Sequence, residues 1–452
     1  MSHEEHICWT LKWLLAQGYL SLDEARSLAR RLGVDEHQVL SAETLDDTGE
    51  IALECALDEQ CTSALEAEID RSGAFERARK LALSRRLQHQ REQAQAPTLF
   101  AHLMEQENPD SFLMAHPEYH TRGLVDLLLQ ESEGFVFNNL DQAEKLDRLA
   151  LHLLALLDEE RYGAETLADL QARASAYLGN VLRRRYAWRD AHREFKRAEE
   201  LMQKGSGNPM VRALILDKKA SLLFDQRHLP EALETIDTAL GIYQDLGEAQ
   251  LVGRTLISRS NILHEQQEGD RAIQDLRRAE ALIDPQVEPR LGLIVRHNLM
   301  FYLCEENRAG EAAPLLEKYR DLYLDHPSPT IQLRLRWLEG KIAVDQGDLG
   351  EAEVAFRETT QGLQDENNSY DAAKAALDLA GILARQQRTA DLKNLANEIF
   401  TIFQQHDIHR EAMAAIILFR QAAEMEQVTL QVIQQVAARV ERSQYLPPDD
   451  PS

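Results

Sequence analysis

The residues of this 452-residue chain that have the chemistry for catalysis are few and poorly placed for it. His3, His6 and Cys8 carry the imidazole nitrogens and thiol that bind zinc, but they crowd a chain end, where the backbone holds ligands loosely. Glu305-Glu306 and Asp449-Asp450 are paired carboxylates in turn-like or tail sequence, where water keeps both charged and neither is tuned for proton transfer. Lys204-Gly205-Ser206-Gly207-Asn208-Pro209 has the glycines of a phosphate cradle, yet it joins two helical segments with no strand before it. There is no P-loop, dinucleotide fingerprint, nucleophile elbow or zinc-protease helix. The sequence therefore predicts a non-enzymatic protein with no cofactor and no resident metal. What recurs instead is Arg, Lys, His, Asn and aromatic residues at regular intervals, which is the chemistry of binding.

The intervals come from an internal repeat. A turn, often followed by Glu-Ala or a similar pair, leads into anchors at Ala191, Ala232, Ala272, Ala312, Ala352 and Leu392, spaced by 41, 40, 40, 40 and 40 residues. Mostly apolar residues stand four and seven positions further on, such as Phe195 and Ala198, Ile236 and Ala239, or Leu276 and Ala279. Steps of four and three place all three on one helical face. Twelve residues before each anchor sits a mostly small residue, Gly179, Ala220, Ser260, Met300, Gly340 and Ala380, and three beyond it Leu182, Leu223, Leu263, Leu303, Ala343 and Leu383. Small side chains let two helices approach closely, and the next residue fills the seam. Each period thus holds two helices, with turns inside pairs at Gly269-Asp270, Gly310-Glu311 and Gly347-Asp348, and between pairs at Asp284-Pro285 and His326-Pro327.

Composition agrees with a stacked array. At this length one compact core is too small, whereas an array buries its faces between neighbours. Ala, Leu, Glu, Gln and Arg dominate, and aromatics are 6%. Acidic residues, 76 against 50 basic, leave a net charge of -26, which argues against nucleic acid and anionic membrane as partners. No apolar run approaches the roughly 18 residues of a membrane span, and the four cysteines show no disulfide framework. A cytoplasmic location with free thiols is expected.

The pattern resembles the tetratricopeptide (TPR) repeat family, most closely at Leu178-Gly179, Leu182, Ala191, Phe195 and Ala198. The chain is also similar over residues 119 to 425 to bacterial multi-repeat TPR proteins, a likeness that carries no activity. The resemblance implies an all-α α-solenoid, a right-handed superhelix of antiparallel helix pairs. A period of 40 exceeds the TPR value of about 34, which calls for longer helices or extended loops. In TPR units the first helix of each pair lines a concave groove. That implies partner-binding positions at Arg173, Asn180 and Arg183, then Phe224, then Arg254, Asn261 and His264, then His297 and Phe301, then Arg334, Trp337 and Lys341, and Lys374. Among the inward positions only Asp217 is acidic, so the groove should favour a protein or peptide, with an acidic segment as the natural fit. Asn261, Asn298 and Arg334 match the family's carboxylate clamp, but Ile257 and Leu338 replace two of its cations, so that clamp is incomplete.

Around the array, residues 1–45 read as a small helical unit, with Ala29, Gly33 and Val39 spaced as in a helix-turn-helix. Its second helix would begin Asp35-Glu36, and carboxylates there would face phosphates. Residues 46–118 form a helical connector with a basic stretch at 71–92 and prolines at Pro97, Pro109 and Pro117. The solenoid covers 119–405, capping helices follow over 406–445, and 446–452 is a tail. The leading expectation is a scaffold or regulatory adaptor that holds a partner polypeptide. Two others are a transcription-associated regulator using the helix-turn-helix-like unit, and a protease-gated regulator or inhibitor in a bacterial stress or defence system. The sequence says nothing of oligomeric state.

Overall fold

The computed structural model describes residues 29–30, 74–136, 139–326, 328–366, 368–405, 410–424 and 427–443. Apart from Ala29 and Arg30, which are helical, the predicted unit at 1–45 lies outside them, as do 46–73, the tail, and His3, His6 and Cys8. The described residues form nineteen α-helices, one 3-10 turn and no strand. The chain divides into two compact units, residues 1–185 with 189–218, and 186–188 with 219–452.

In the first unit α1 (Ala74–Met104), α2 (Pro109–Ala115) and a 3-10 turn (Pro117–Tyr119) precede α3 (Arg122–Phe135), α4 (Leu140–Leu156), α5 (Glu159–Tyr162) and α6 (Ala164–Arg184). Then come α7 (Trp188–Met202) and the first part of α8 (Pro209–Asp225). α1 packs on α3, α3 on α4, and α4 on α6. Side-chain oxygens of Asn108, Thr121 and Asn139 accept the first free backbone N–H groups of α2, α3 and α4. The prolines at 97, 109 and 117 fall in helical sequence or at helix starts. Pro97 lies within α1, and Leu103 and Leu113 are fully buried in one core with Leu124, Leu128 and Leu153. Their apolar contact outweighs the backbone bond that proline removes.

The second unit continues with α9 (Leu229–Asp245), α10 (Ala249–Glu265), α11 (Gly269–Leu282), α12 (Pro289–Glu305), α13 (Ala309–Leu324) and α14 (Pro329–Asp345). It is completed by α15 (Leu349–Asp365), α16 (Ser369–Arg385), α17 (Thr389–Gln405), α18 (Arg410–Glu424) and α19 (Leu430–Ser443). Each helix packs on the next, forming an α-solenoid of antiparallel pairs. The anchors Ala232, Ala272, Ala312 and Ala352 are completely buried. At the seam, a Cβ on Gly340 would fall 2.6 Å from the Phe356 ring, so the α14–α15 approach needs glycine. Loops of three to six residues join these helices, most of which are 17 residues long, so the long period resides in the helices.

The turn inside each pair is built the same way. Arg227, Gln267, Asn307, Gly347 and Gln387, 40 residues apart, all have positive φ, between 57° and 79°. The following amide reaches back to the seam residue: His228 N to Leu223 O at 2.9 Å, Glu268 N to Leu263 O at 2.8 Å, Arg308 N to Leu303 O at 2.7 Å. This is the Schellman closure, in which a left-handed residue lets two amides satisfy carbonyls at the helix end. Gly269 and Gly310, expected as the turn, instead sit in the first turn of the second helix. Four of the five left-handed positions hold no glycine. Their side chains bear a strain that the paired hydrogen bonds over-determine.

Candidate functional site

The first helices of successive pairs, α10, α12 and α14, approach one another more closely than do the second helices. They therefore line the inner side of the second unit. Contacts between them run sideways from pair to pair. Tyr302 on α12 donates to Asn261 Oδ1 on α10 at 2.8 Å, and its ring stacks on His264 at 4.0 Å. Phe301 meets Trp337 on α14 edge to face at 5.5 Å. Trp337, only 5% exposed, donates from Nε1 to Asp378 Oδ2 on α16 at 2.7 Å.

Lys341 is the centre of this face. Its ammonium bonds Glu305 on α12 and Asp378 on α16, the latter at 2.9 Å, and lies 4.9 Å from the centre of the Phe301 ring. Burial opposes its charge, but Asp378 and Glu305 outweigh burial and hold its pKa well above that of an ordinary lysine. Glu305 is held low in turn, its own burial outweighed by Lys341. Cys304, the preceding residue, is pushed up to about 12, chiefly by burial, so its thiol stays protonated and is a poor nucleophile.

The other predicted positions are distributed as follows. Arg173, Asn180 and Arg183 belong to the first unit, where Arg173 pairs with Asp126 and Arg183 Nε donates to Asn180 Oδ1 at 3.0 Å. Phe224 packs against Ala220, Ala232, Ile236 and Ile262 in the second unit. His297 Nδ1 bonds Tyr323 Oη at 2.9 Å, and burial, then the charge of Arg334, lowers its pKa to about 3. It is neutral at physiological pH. Arg254 pairs with Glu288 at 2.7 Å, Arg334 with Asp371 at 3.5 Å, and Lys374 with Glu441.

The expected surplus of positive charge is thus not there. Every inward Arg or Lys predicted in the second unit faces a carboxylate from a neighbouring helix or the loop before it, and Lys341 faces two. Sequence reasoning missed Glu305, Asp371 and Asp378 because it followed one stripe per helix. The signal was available in spacing, since Glu305, Lys341 and Asp378 stand 36 and 37 residues apart, close to one repeat.

The glycine-rich loop also has a structural explanation. Ser206 donates from its amide and hydroxyl to Asp169 Oδ2, at 3.2 and 2.5 Å, and a Cβ on Gly205 would overlap that carboxylate. Among the described residues no group of three His, Cys, Asp or Glu side chains is arranged to hold a metal, and no helix is long and apolar enough to cross a membrane.

No family model and no curated protein matches the chain. Solved structures do. A Rap protein complexed with Competence and Sporulation Factor is similar at 14% identity, over 71% of this chain and 87% of that one, with a TM-score of 0.50. Aspartyl phosphate phosphatase F from Bacillus subtilis aligns at 14% identity over 95% of both chains, with a TM-score of 0.42. The first likeness is one of fold, and it supports a TPR-like helical repeat architecture.

Proposed function

We propose that this protein is a non-enzymatic adaptor that holds a segment of another polypeptide on the inner face of its second unit. The observation that carries this is the lateral ladder from Asn261 through Tyr302, Phe301, Trp337 and Lys341 to Asp378. Side chains held in place by partners on the first helices of four successive pairs, α10, α12, α14 and α16, lose little freedom when a ligand lands on them, so the face is preorganised. Phe301, the half-buried ring of the ladder, beside fixed donors and acceptors suits peptide recognition. A Rap protein of similar fold holds a bound factor, Competence and Sporulation Factor. Because the inward cations are already paired, an acidic partner segment gains affinity only by taking the place of Glu288, Asp371 or Glu441.

A photo-crosslinking amino acid at Phe301 tests the reading, with one at exposed Val354 on the second helix α15 as the control. Polypeptide adducts in cells should form at position 301 and be absent at 354. Equal labelling at both, or none at 301, would overturn the proposal.

A further inference from the structure

The last described helix breaks the packing rule of the array. Second helices of the repeats pack on first helices without covering the inner face, whereas α19 packs on α18 and on α16, two elements further back. Its place on α16 is fixed by two residues one helical turn apart, which share a face. Asp378 receives Trp337 and Lys341 from α14, and Lys374 pairs with Glu441 of α19. α19 therefore lies on the inner face, one turn along from the aromatic ladder. Ile433, Val436 and Val440 are its buried residues, and they join the cluster that contains Leu377 and Trp337. Gln431, Gln434, Gln435 and Arg439 are exposed.

We infer that α19 is an intramolecular occupant of the binding face, seated where a partner helix docks and displaced by it. The inference rests on the reading of the inner face given above and adds the chemistry of the partner. The occupant is an amphipathic helix with apolar residues at i, i+3 and i+7 and a carboxylate at i+8, the spacing of Ile433, Val436, Val440 and Glu441. Three buried apolar side chains are set against the ordering of a 14-residue helix, which leaves α19 a small margin of stability. α16 is held by α15, α17 and α19, while among the described residues α19 packs on α18 and α16 alone and is wet along one face, so it opens before α16 does.

Hydrogen exchange of the full chain, read by peptide mass spectrometry, tests this. α19 should exchange at least tenfold faster than α16. Either Glu441→Lys or Lys374→Glu should raise α19 exchange several-fold further, and the double swap should restore it, with α16 unchanged throughout. A synthetic peptide of residues 427–443 in excess should also speed α19 exchange in the wild-type chain by taking its seat. If α19 and α16 exchange together in one step, or the double swap fails to restore protection, α19 is a fixed structural cap and the inference is wrong. The crosslink at Phe301 separates the two readings. Adducts there with a fixed α19 sink only the displacement, whereas an opening α19 with no adducts sinks the adaptor function.

Discussion

Asp147 in the first unit and Lys341 in the second respond to burial in opposite ways. In the first, Asp147 on α4 is completely buried and neither carboxyl oxygen has a hydrogen-bond partner. The neighbouring Ser132 hydroxyl is committed to Ala143 O at 3.2 Å, and the Lys218 ammonium to Glu133 at 3.1 Å. Burial raises the Asp147 pKa to about 8, which Ser132 and Lys218 offset only in part, with Glu133 and Glu144 adding to it. In the second unit Lys341 is charged because two carboxylates enclose it, and His297 is neutral because burial and Arg334 hold it so. Asp147 is an unpaired acid, whereas Lys341, like Lys218 beside Glu133 in the first unit, is a matched cation and His297 a neutral base. The lesson is that burial alone does not set the sign of a pH response; the partners do.

The largest effect that would break this contrast is at Lys341. Lys341→Glu leaves three carboxylates enclosed together and should destabilise the second unit by about 3–5 kcal/mol, seen as early loss of helix in a thermal melt. An exposed groove cation would, by contrast, be replaceable without harm to the fold. A variant with unchanged melting would make Lys341 such a cation.

Asp147→Asn sharpens the other side. The folded pKa of about 8 lies above the unfolded value of 3.8, so the fold keeps a proton that the unfolded chain has lost. This group's penalty is therefore absent below about pH 4, grows as pH rises, and is complete above about pH 8. The variant should flatten that decline and stabilise the first unit at pH 8 by about 2–4 kcal/mol, measured by hydrogen exchange across α3 and α4.

For His297 the sign reverses. Its folded pKa of about 3 lies below 6.5, so its stabilising contribution is present above pH 6.5 and is lost as pH falls toward 3. Asp371 opposes this and Arg334 reinforces it. Going from pH 7 to pH 5 should weaken α12 and α13 by about 2 kcal/mol, and His297→Gln should remove most of that loss. Exchange rates corrected for intrinsic pH dependence should thus move in opposite directions in the two units.

The smallest effect concerns the left-handed turns. Gln267→Gly and Asn307→Gly should each stabilise the second unit by about 0.5–1 kcal/mol, because glycine relieves the strained φ while the closing hydrogen bonds remain. An unchanged melting temperature would mean those side chains contribute contacts that offset their strain.

Much of the scaffold was legible beforehand. Helix pairing follows from local rules, because apolar residues at steps of three and four must share a face, and small residues such as Gly340 must mark close approach. Both depend on positions a few bonds apart, repeated every 40 residues. The character of the candidate face was not legible in the same way. Whether Lys341 is an offered cation or a matched one depends on Glu305 and Asp378, which reach it from the first helices of the pairs on either side. Whether Lys374 faces open space depends on Glu441, 67 residues away on a helix that leaves the repeat pattern. By itself the sequence determined the elements, their period and the buried stripe of each. Only the tertiary structure decided which charges meet, because Coulomb energy depends on distances between helices that no local periodicity encodes.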